Sequence, residues 1–141
     1  MVSSPYLCRF LFVAVVALAL VGCSSDSDRS RVQGTVRYNG EPVDDGGIAF
    51  IPEGEGAAQD RATGEIRDGR YDLDSTRGPY PGKYRVEIYW NKKTGRQIAN
   101  QAKTAFRDER KQAIPPKYNE KTELIETIKP GRNTLDFDLK P

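Results

Sequence analysis

The chain has 141 residues, a length that fits one domain with a short appendage. Its 22 basic and 20 acidic residues give a net charge of +2, so no long-range electrostatic field favours nucleic acid or acidic substrates. The sequence contains no histidine, which excludes Ser-His-Asp and Cys-His catalysis, His-ligated zinc and imidazole base chemistry.

The N-terminal segment has the pattern of a signal sequence with a lipid attachment site. Residues 10–21 are twelve consecutive apolar residues. This run is shorter than the ~20 residues that span a bilayer and is typical of a signal-peptide core. The residues from Leu20 to Cys23 then resemble the lipobox of bacterial lipoproteins, in which the cysteine becomes the acylated first residue. We expect a signal peptide over residues 1–22 and acylation of Cys23; the alternative is an ordinary secretory signal with an incidental cysteine.

Acylation of Cys23 would determine both the location and the stability of the protein. The other cysteine, Cys8, lies in the removed segment, so burial without a disulfide would hold the mature fold together. Residues 23–30 have nothing to bury and are expected to form a disordered tether. By the sorting rule of well-studied Gram-negative bacteria, Ser24 permits the outer membrane. We therefore expect a lipid-anchored envelope protein, with the outer membrane favoured and the domain in the periplasm or at the cell surface.

Alternation of apolar and polar residues predicts seven strands in the domain, residues 31–141. Asn39-Gly40 and Asp68-Gly69 are typical of tight hairpin turns because they tolerate positive φ. The central strand carries Tyr84, Val86, Ile88 and Trp90 on its inward face. The predicted strands are residues 31–38, 47–52, 61–66, 69–73, 82–90, 121–128 and 133–139.

Two regions depart from this regular pattern. Residues 91–120 show no evident strand, so we expect a functional insertion or a mobile loop, with a short helix over residues 99–110 as an option. The last two predicted strands are expected to form a closing hairpin with Leu135, Phe137 and Leu139 facing inward. In residues 121–128 the inward face would include Glu126, so that strand lies at a sheet edge or a bulge resets it.

Several of these segments resemble the carboxypeptidase regulatory-like, or transthyretin-like, β-sandwich domain of planctomycete-type bacterial lipoproteins. Residues 32–43 resemble its opening V-x-G-x-V-x-x-x-G-x-P-V strand and turn. Residues 69–73 and 81–86 resemble its G-x-Y-x-L … P-G-x-Y-x-V core, and residues 114–119 and 131–139 the ends of such lipoproteins. The resemblance implies an all-β fold, a seven-stranded antiparallel immunoglobulin-like or transthyretin-like sandwich.

The enzymatic activity of one protein with a related fold is not expected in this chain. The related hydroxyisourate hydrolase relies on histidines and a C-terminal Tyr-Arg-Gly-Ser-type tail, whereas this chain has no histidine and ends Asp-Leu-Lys-Pro. The core motifs consist of turn and core residues, which indicate a fold and leave the function open.

Paired aspartates and an acidic turn are candidates for chemistry. Asp72 with Asp74, and Asp136 with Asp138, would place same-face carboxylates about 7 Å apart, which suits Ca²⁺ or an acid–base pair. Such pairs are more commonly solvated charges on an outer face. The turn at residues 44–47 also suits Ca²⁺, although Asp-Gly-rich turns are usually only turns.

Exposed aromatic and basic residues are the remaining candidates. Tyr80 and Tyr89 are predicted to face outward, where they would suit stacking on sugar rings. Lys92, Lys93 and Arg96 would suit anionic lipid or polysaccharide; the plainer interpretation is a solvated loop.

The expected function is that of a membrane-anchored, non-enzymatic module for adhesion, assembly or ligand binding at the cell envelope. Its expected partners are the membrane, through Cys23, and an envelope protein or polysaccharide, with no nucleic acid, cofactor or metal. One alternative is an enzyme or a Ca²⁺-dependent carbohydrate-binding protein that uses the paired aspartates. Another is an accessory or regulatory domain of an envelope enzyme or transporter.

Overall fold

The computed structural model describes residues 28–54 and 61–141, which contain ten strands and no α-helix. The predicted signal peptide, Cys23 and most of the loop at residues 53–59 lie outside the described residues. One turn of 3-10 helix covers Pro116–Tyr118. The strands are β1 (Arg31–Tyr38), β2 (Glu41–Pro42), β3 (Asp45–Pro52), β4 (Ala62–Arg67), β5 (Arg70–Leu73), β6 (Gly82–Ala99), β7 (Phe106–Gln112), β8 (Ile125–Ile128), β9 (Arg132–Thr134) and β10 (Phe137–Leu139).

Seven of the strands follow one continuous path, in the order β10-β1-β5-β4-β3-β6-β7. Within this path β4 and β5 share a single residue pair, Arg67 with Arg70, so the sheet bends there into an open sandwich. Phe50 of β3 and Tyr71 of β5 meet across the bend with ring centroids 6.3 Å apart. Pairing is antiparallel except that β9 and β10 run parallel to β1. The expected all-β, sandwich-like fold is confirmed.

The core is centred on the first half of β6, as the alternating sequence predicts. Tyr84, Val86 and Ile88 are fully buried and Trp90 is 1% exposed. Each large apolar side chain removed from water contributes about 1.5–3 kcal/mol to the stability of the fold. Further buried side chains from the facing strands complete this core: Val32, Val36, Ile48, Phe50, Ile66, Tyr71, Leu73, Phe137 and Leu139.

Both predicted hairpin turns are present. Asn39 and Gly40 have φ angles of 51° and 81°, and Asp68 and Gly69 have φ angles of 50° and 73°. These positive values are those of a tight primed turn, which joins two antiparallel strands without splaying them. The Asp-Gly turn links β4 to β5, and the Asn-Gly turn links β1 to β2.

Residues 91–112 form a two-stranded arm, which corrects the prediction of a loop or a short helix. β6 continues beyond Trp90 to Ala99, and β7 returns antiparallel to it from Phe106. A bulge between Lys93 and Gln97 shifts the register, with Gly95 at a φ of 80°. Both faces of the arm are largely exposed. Because neither face is buried, the apolar alternation that identifies a strand is missing from its sequence.

The last strands do not form the predicted closing hairpin. β8 pairs with β6, whereas β9 and β10 pair with β1 in the opposite layer. The turn residues before β9 therefore carry the chain across the sandwich. Phe137 and Leu139 are buried as predicted. Glu126 of β8 lies opposite Tyr84 of β6. β8 is an edge strand, and its pairing with β6 contains no bulge.

Side chains from residues 112–122 cover the edge of β6 between β8 and the arm. Ile114 and Asn119 there are 2% and 3% exposed, so the segment at residues 114–119 has a structural role. Side chains bind three main-chain groups of β6: the Trp90 N–H by Gln112 at 2.9 Å, the Ile88 carbonyl by Asn119 at 3.5 Å, and the Val86 carbonyl by Thr122 at 2.5 Å.

The folded region begins earlier than the predicted boundary at Arg31. Ser30 is 1% exposed, and its N–H donates to the Pro79 carbonyl at 2.8 Å. Arg29 donates to the Gly78 carbonyl at 3.0 Å. A Cβ at Gly78 would overlap the Ser30 carbonyl oxygen, so the close approach requires glycine there. The assignment of Arg29 and Ser30 to a disordered tether was therefore wrong.

Candidate functional site

Asp72 and Asp74, the first predicted carboxylate pair, bind separate partners. The Arg31 guanidinium makes a two-pronged ion pair with Asp72 and holds the pKa of that carboxyl below its usual value. Asp74 accepts hydrogen bonds from the hydroxyl and the N–H of Thr76, at 2.6 and 2.9 Å, which lower its pKa to about 2. Both groups are therefore held as carboxylates, and neither is suited to deliver a proton near neutral pH.

The second pair, Asp136 and Asp138, is also divided between partners. Asp136 accepts from the hydroxyl and the N–H of Thr35, both at 2.7 Å, and these bonds lower its pKa. Asp138 pairs with Lys140 at 2.8 Å. Across residues 28–54 and 61–141, no three His, Cys, Asp or Glu side chains come together in a metal-binding group.

The acidic turn at residues 44–47 connects the core to the base of the arm. Asp44 accepts a hydrogen bond from the Trp90 indole N–H at 2.7 Å. The neighbouring Asp45 pairs with Arg110 of β7 at 2.7 Å. The two carboxylates point to different partners, so the turn positions the arm.

The two predicted outward tyrosines do not form one aromatic surface. The Arg29 guanidinium lies 4.4 Å from the centroid of the Tyr80 ring. The Tyr89 hydroxyl donates a hydrogen bond to Glu87 at 2.9 Å. The Tyr89 pKa is raised, mainly by partial burial and secondly by the Glu87 carboxylate. Both side chains are half-buried and already in contact with charged neighbours.

A surface hollow of about 590 Å³ lies where β4 and β5 splay apart. Three arginines and three carboxylates line it in balance: Arg67, Arg70, Arg77, Glu65, Asp72 and Asp136. Arg67 pairs with Glu65 at 2.6 Å, and Asp72 is held by Arg31. Because its charges are matched, the hollow offers no excess charge to a ligand. No local sequence pattern predicts this hollow, because its residues come from separate strands.

The arm carries a large excess of positive charge. Among residues 91–112, seven are basic (Lys92, Lys93, Arg96, Lys103, Arg107, Arg110, Lys111) and two are acidic (Asp108, Glu109), a net charge of +5. The whole chain carries +2, so the remaining residues together carry −3. The positive field of the protein is therefore concentrated on the arm.

The three basic residues singled out from the sequence all lie on the arm and have acidic partners. Lys92 binds Glu41 at 2.6 Å and Lys93 binds Asp108 at 2.6 Å. Arg96 lies 4.0 Å from Glu109. Sequence reasoning missed the basic residues of the returning strand, because it did not predict that strand.

Lys103, Arg107 and Lys111 are exposed and make no ion pair within the described ranges. Phe106, next to Arg107 at the start of β7, is 69% exposed. A hollow of about 430 Å³ lies along the arm, lined by Lys93, Ile98, Arg107, Asp108 and Arg110. This combination of available cations, a hollow and an exposed ring makes the arm the candidate binding surface.

Comparison with known proteins identifies no family. No protein-family model and no curated protein matches the chain. A solved structure similar to it is that of a DUF3823 family protein from Parabacteroides merdae, with 13% sequence identity and a TM-score of 0.42. That match covers 80% of this chain and 46% of the other, so the chain spans less than half the length of that protein. A TM-score this low supports no conclusion, and membership of the carboxypeptidase regulatory-like domains stays a prediction.

Proposed function

We propose that this protein is a membrane-anchored, non-enzymatic module of the bacterial cell envelope that binds its partner through the arm. The observation that carries the proposal is the arm itself, residues 91–112, with its net charge of +5 and its exposed faces. An isolated two-stranded ribbon is marginally stable in water, and this one buries little apolar surface of its own. The arm therefore adds little to the stability of the fold, and we infer that it serves as a contact surface.

The state of the carboxylates supports a binding role over catalysis. Asp72, Asp74, Asp136 and Asp138 each bind a neighbouring cation or hydroxyl. Acid–base catalysis needs a group whose pKa lies near the working pH. The lowered pKa values of Asp72, Asp74 and Asp136 move these groups away from that condition.

The geometry of the sandwich is compatible with an anchor at the N-terminus and a binding arm at the other end. Arg31 begins β1 beside Gly131, whose carbonyl accepts its N–H at 2.9 Å. β1 ends at Tyr38, next to Glu41, and the arm leaves the sandwich at the same end, where Lys92 binds Glu41. The arm therefore extends from the end of the domain that lies away from Arg31.

Metabolic labelling with radioactive palmitate tests the anchor. The wild-type chain and two variants, Cys23→Ala and the matched Cys8→Ala, are expressed in a bacterium with lipoprotein-processing enzymes. We expect label on the wild type and on Cys8→Ala, and none on Cys23→Ala. Label that persists in Cys23→Ala, or a wild-type chain that takes up no label, would refute the lipid anchor.

A further inference from the structure

We propose that the arm binds an acidic polysaccharide, a linear sugar polymer that carries carboxylates. The inference rests on the proposed function, because it takes the arm as the contact surface, and it names the chemistry of the partner. Three observations support it: the distribution of cations, the direction of the arm, and the presence on the arm of a hollow and an exposed aromatic ring.

The cations of the arm lie on both of its faces. Residues directly opposite each other in an antiparallel pair share a face, so Lys93 and Arg110 lie on one face and Lys92 and Lys111 on the other. Arg107, opposite Ile98, shares the second face. The β6 part of the arm, nine residues, is about 30 Å long. A flat bilayer would contact one face, whereas a flexible polyanion can follow the arm and reach both.

The arm also points away from the expected anchor. Because Arg29 and Ser30 belong to the fold, acylation of Cys23 would leave a tether of six residues, 23–28, that spans at most about 22 Å. β1 and the arm portion of β6 together extend about 55 Å from Arg31 to the tip, if they are roughly collinear. A tip at residues 100–105 that extends from this end of the domain is within reach of envelope polymers beyond the anchoring bilayer.

The hollow and the exposed ring suit a sugar acid. The hollow of about 430 Å³ is lined by Lys93, Arg107, Asp108 and Arg110, and among these cations Arg107 is the one that makes no ion pair within the described residues. An arginine guanidinium binds a carboxylate through two parallel hydrogen bonds. Phe106, 69% exposed, offers a flat apolar face on which a sugar ring can stack.

A second copy of the chain is a poorer partner for this surface. The free edge of β7 carries Arg107, Arg110 and Lys111, and charged edge strands resist pairing with another strand. Two arms of net charge +5 would repel each other. The same charge favours a polyanion, whose bound counterions are released when the arm replaces them.

The test measures binding of fluorescent polygalacturonate to the full-length protein in a nonionic detergent, over a series of NaCl concentrations. The arm variant combines Lys103→Gln, Arg107→Gln and Lys111→Gln, which removes cations without breaking an ion pair. The matched control combines Lys121→Gln, Lys129→Gln and Arg132→Gln, exposed cations away from the arm. Both variants lower the net charge by three, and near-ultraviolet circular dichroism of Trp90 checks that both are folded.

We expect the arm variant to bind roughly tenfold more weakly or worse, the control to stay within about twofold, and wild-type affinity to fall as salt rises. Equal losses in the two variants, or an unchanged arm variant, would overturn the proposal. Neutral dextran bound as tightly as polygalacturonate would overturn it as well. Arm-dependent binding to phosphatidylglycerol vesicles that exceeds binding to polygalacturonate would assign the arm to lipid instead.

The same assay on full-length Cys23→Ala separates this inference from the anchor. Acylation plays no part in the binding step, so we expect the wild-type affinity. If palmitate labelling fails while polygalacturonate binding depends on the arm, the anchor is wrong and the polysaccharide inference is supported. If labelling succeeds while polygalacturonate binding is absent, the anchor is supported and the polysaccharide inference is overturned.

Discussion

The indole N–H of Trp90 donates a 2.7 Å hydrogen bond to Asp44, which ties the last buried residue of β6 to the turn before β3. Immediately beyond Trp90 the strand leaves the core and becomes the arm. Lys92 lies over the same indole, 4.6 Å from its ring centroid, and Arg110 pairs with Asp45 at 2.7 Å. The base of the arm is therefore held by contacts to the side chain of a core residue and to the neighbouring turn.

Substitution Asp44→Ala should destabilise the fold by about 1–2 kcal/mol, because it leaves the buried indole N–H without its acceptor. Urea unfolding followed by Trp90 fluorescence measures the change. Asp138→Ala is the matched control, since its carboxylate pairs only with exposed Lys140, and it should cost less than about 0.5 kcal/mol. Equal effects of the two substitutions would show that the Trp90 bond contributes nothing specific.

Tyr71→Phe should cost about 1–2 kcal/mol, because the Tyr71 hydroxyl donates to the Leu135 carbonyl at 2.8 Å and this oxygen would lose its donor. Burial raises the pKa of Tyr71, so its proton stays in place for this bond at any ordinary pH. Tyr89→Phe removes a hydroxyl from a half-buried site beside Glu87 and should change the free energy of unfolding less. Chemical denaturation of the two variants side by side checks the difference, and the reverse order would contradict the role given to Tyr71.

Asn119→Asp should be more damaging, by roughly 2–4 kcal/mol, because it turns a buried donor into a buried acceptor. The Asn119 amide nitrogen faces the carbonyls of Ile88, Ile114 and Pro115 at 3.5, 3.3 and 3.2 Å. In Asn119→Asp, the carboxylate oxygen that replaces the amide nitrogen would face these three carbonyl oxygens and would have no hydrogen-bond donor.

The matched control for that substitution is Asn100→Asp, the same chemical change in the exposed turn of the arm, which should shift the melting temperature by only a degree or two. Thermal unfolding by circular dichroism separates the two. A similar, small shift for both would mean that Asn119 does not seal the edge of β6.

Stability should be flat from about pH 8 to pH 5 and should fall between about pH 4 and pH 2. The chain has no histidine, the side chain that ordinarily titrates in the upper range. The folded-state pKa values of Asp72, Asp74, Asp108 and Asp136 lie below their ordinary values. The unfolded chain therefore binds more protons as the pH falls below about 4, and acid favours unfolding until the folded pKa values are passed.

Melting temperatures recorded across that pH range test this dependence, and Asp74→Asn should flatten the acid limb. The substitution removes a carboxyl whose pKa is lowered to about 2, and the hydrogen bond from the Thr76 hydroxyl is the largest cause of that lowering. Loss of stability between pH 8 and pH 5, or an acid limb unchanged in Asp74→Asn, would contradict the assignment.

Sequence reasoning succeeded where one face of a strand is buried. The alternation from Tyr84 to Trp90 identified the core strand, because burial demands apolar residues at every second position. Asn39-Gly40 and Asp68-Gly69 identified the turns, because few other residues adopt their φ angles. These signals are local, so a single sequence carries them.

Sequence reasoning failed where strand pairing is non-local or where neither face of a strand is buried. The arm strands from Asn91 to Ala99 and from Phe106 to Gln112 lack alternation because both faces meet solvent. Pro130 and Gly131, which precede β9, indicate a change of direction and say nothing of the partner strand, which is β1. The ion pair of Asp72 with Arg31 joins residues 41 positions apart, so the local pattern could not show that Asp72 has a cationic partner.

Photo-crosslinking in living cells tests most directly whether the protein binds through its arm. Benzoylphenylalanine replaces Gln101, in the turn of the arm, or Thr127, on β8, both exposed and uncharged. We expect a crosslinked product containing envelope polymer from position 101 and none from position 127. Products from position 127 alone, or from neither position, would contradict the account.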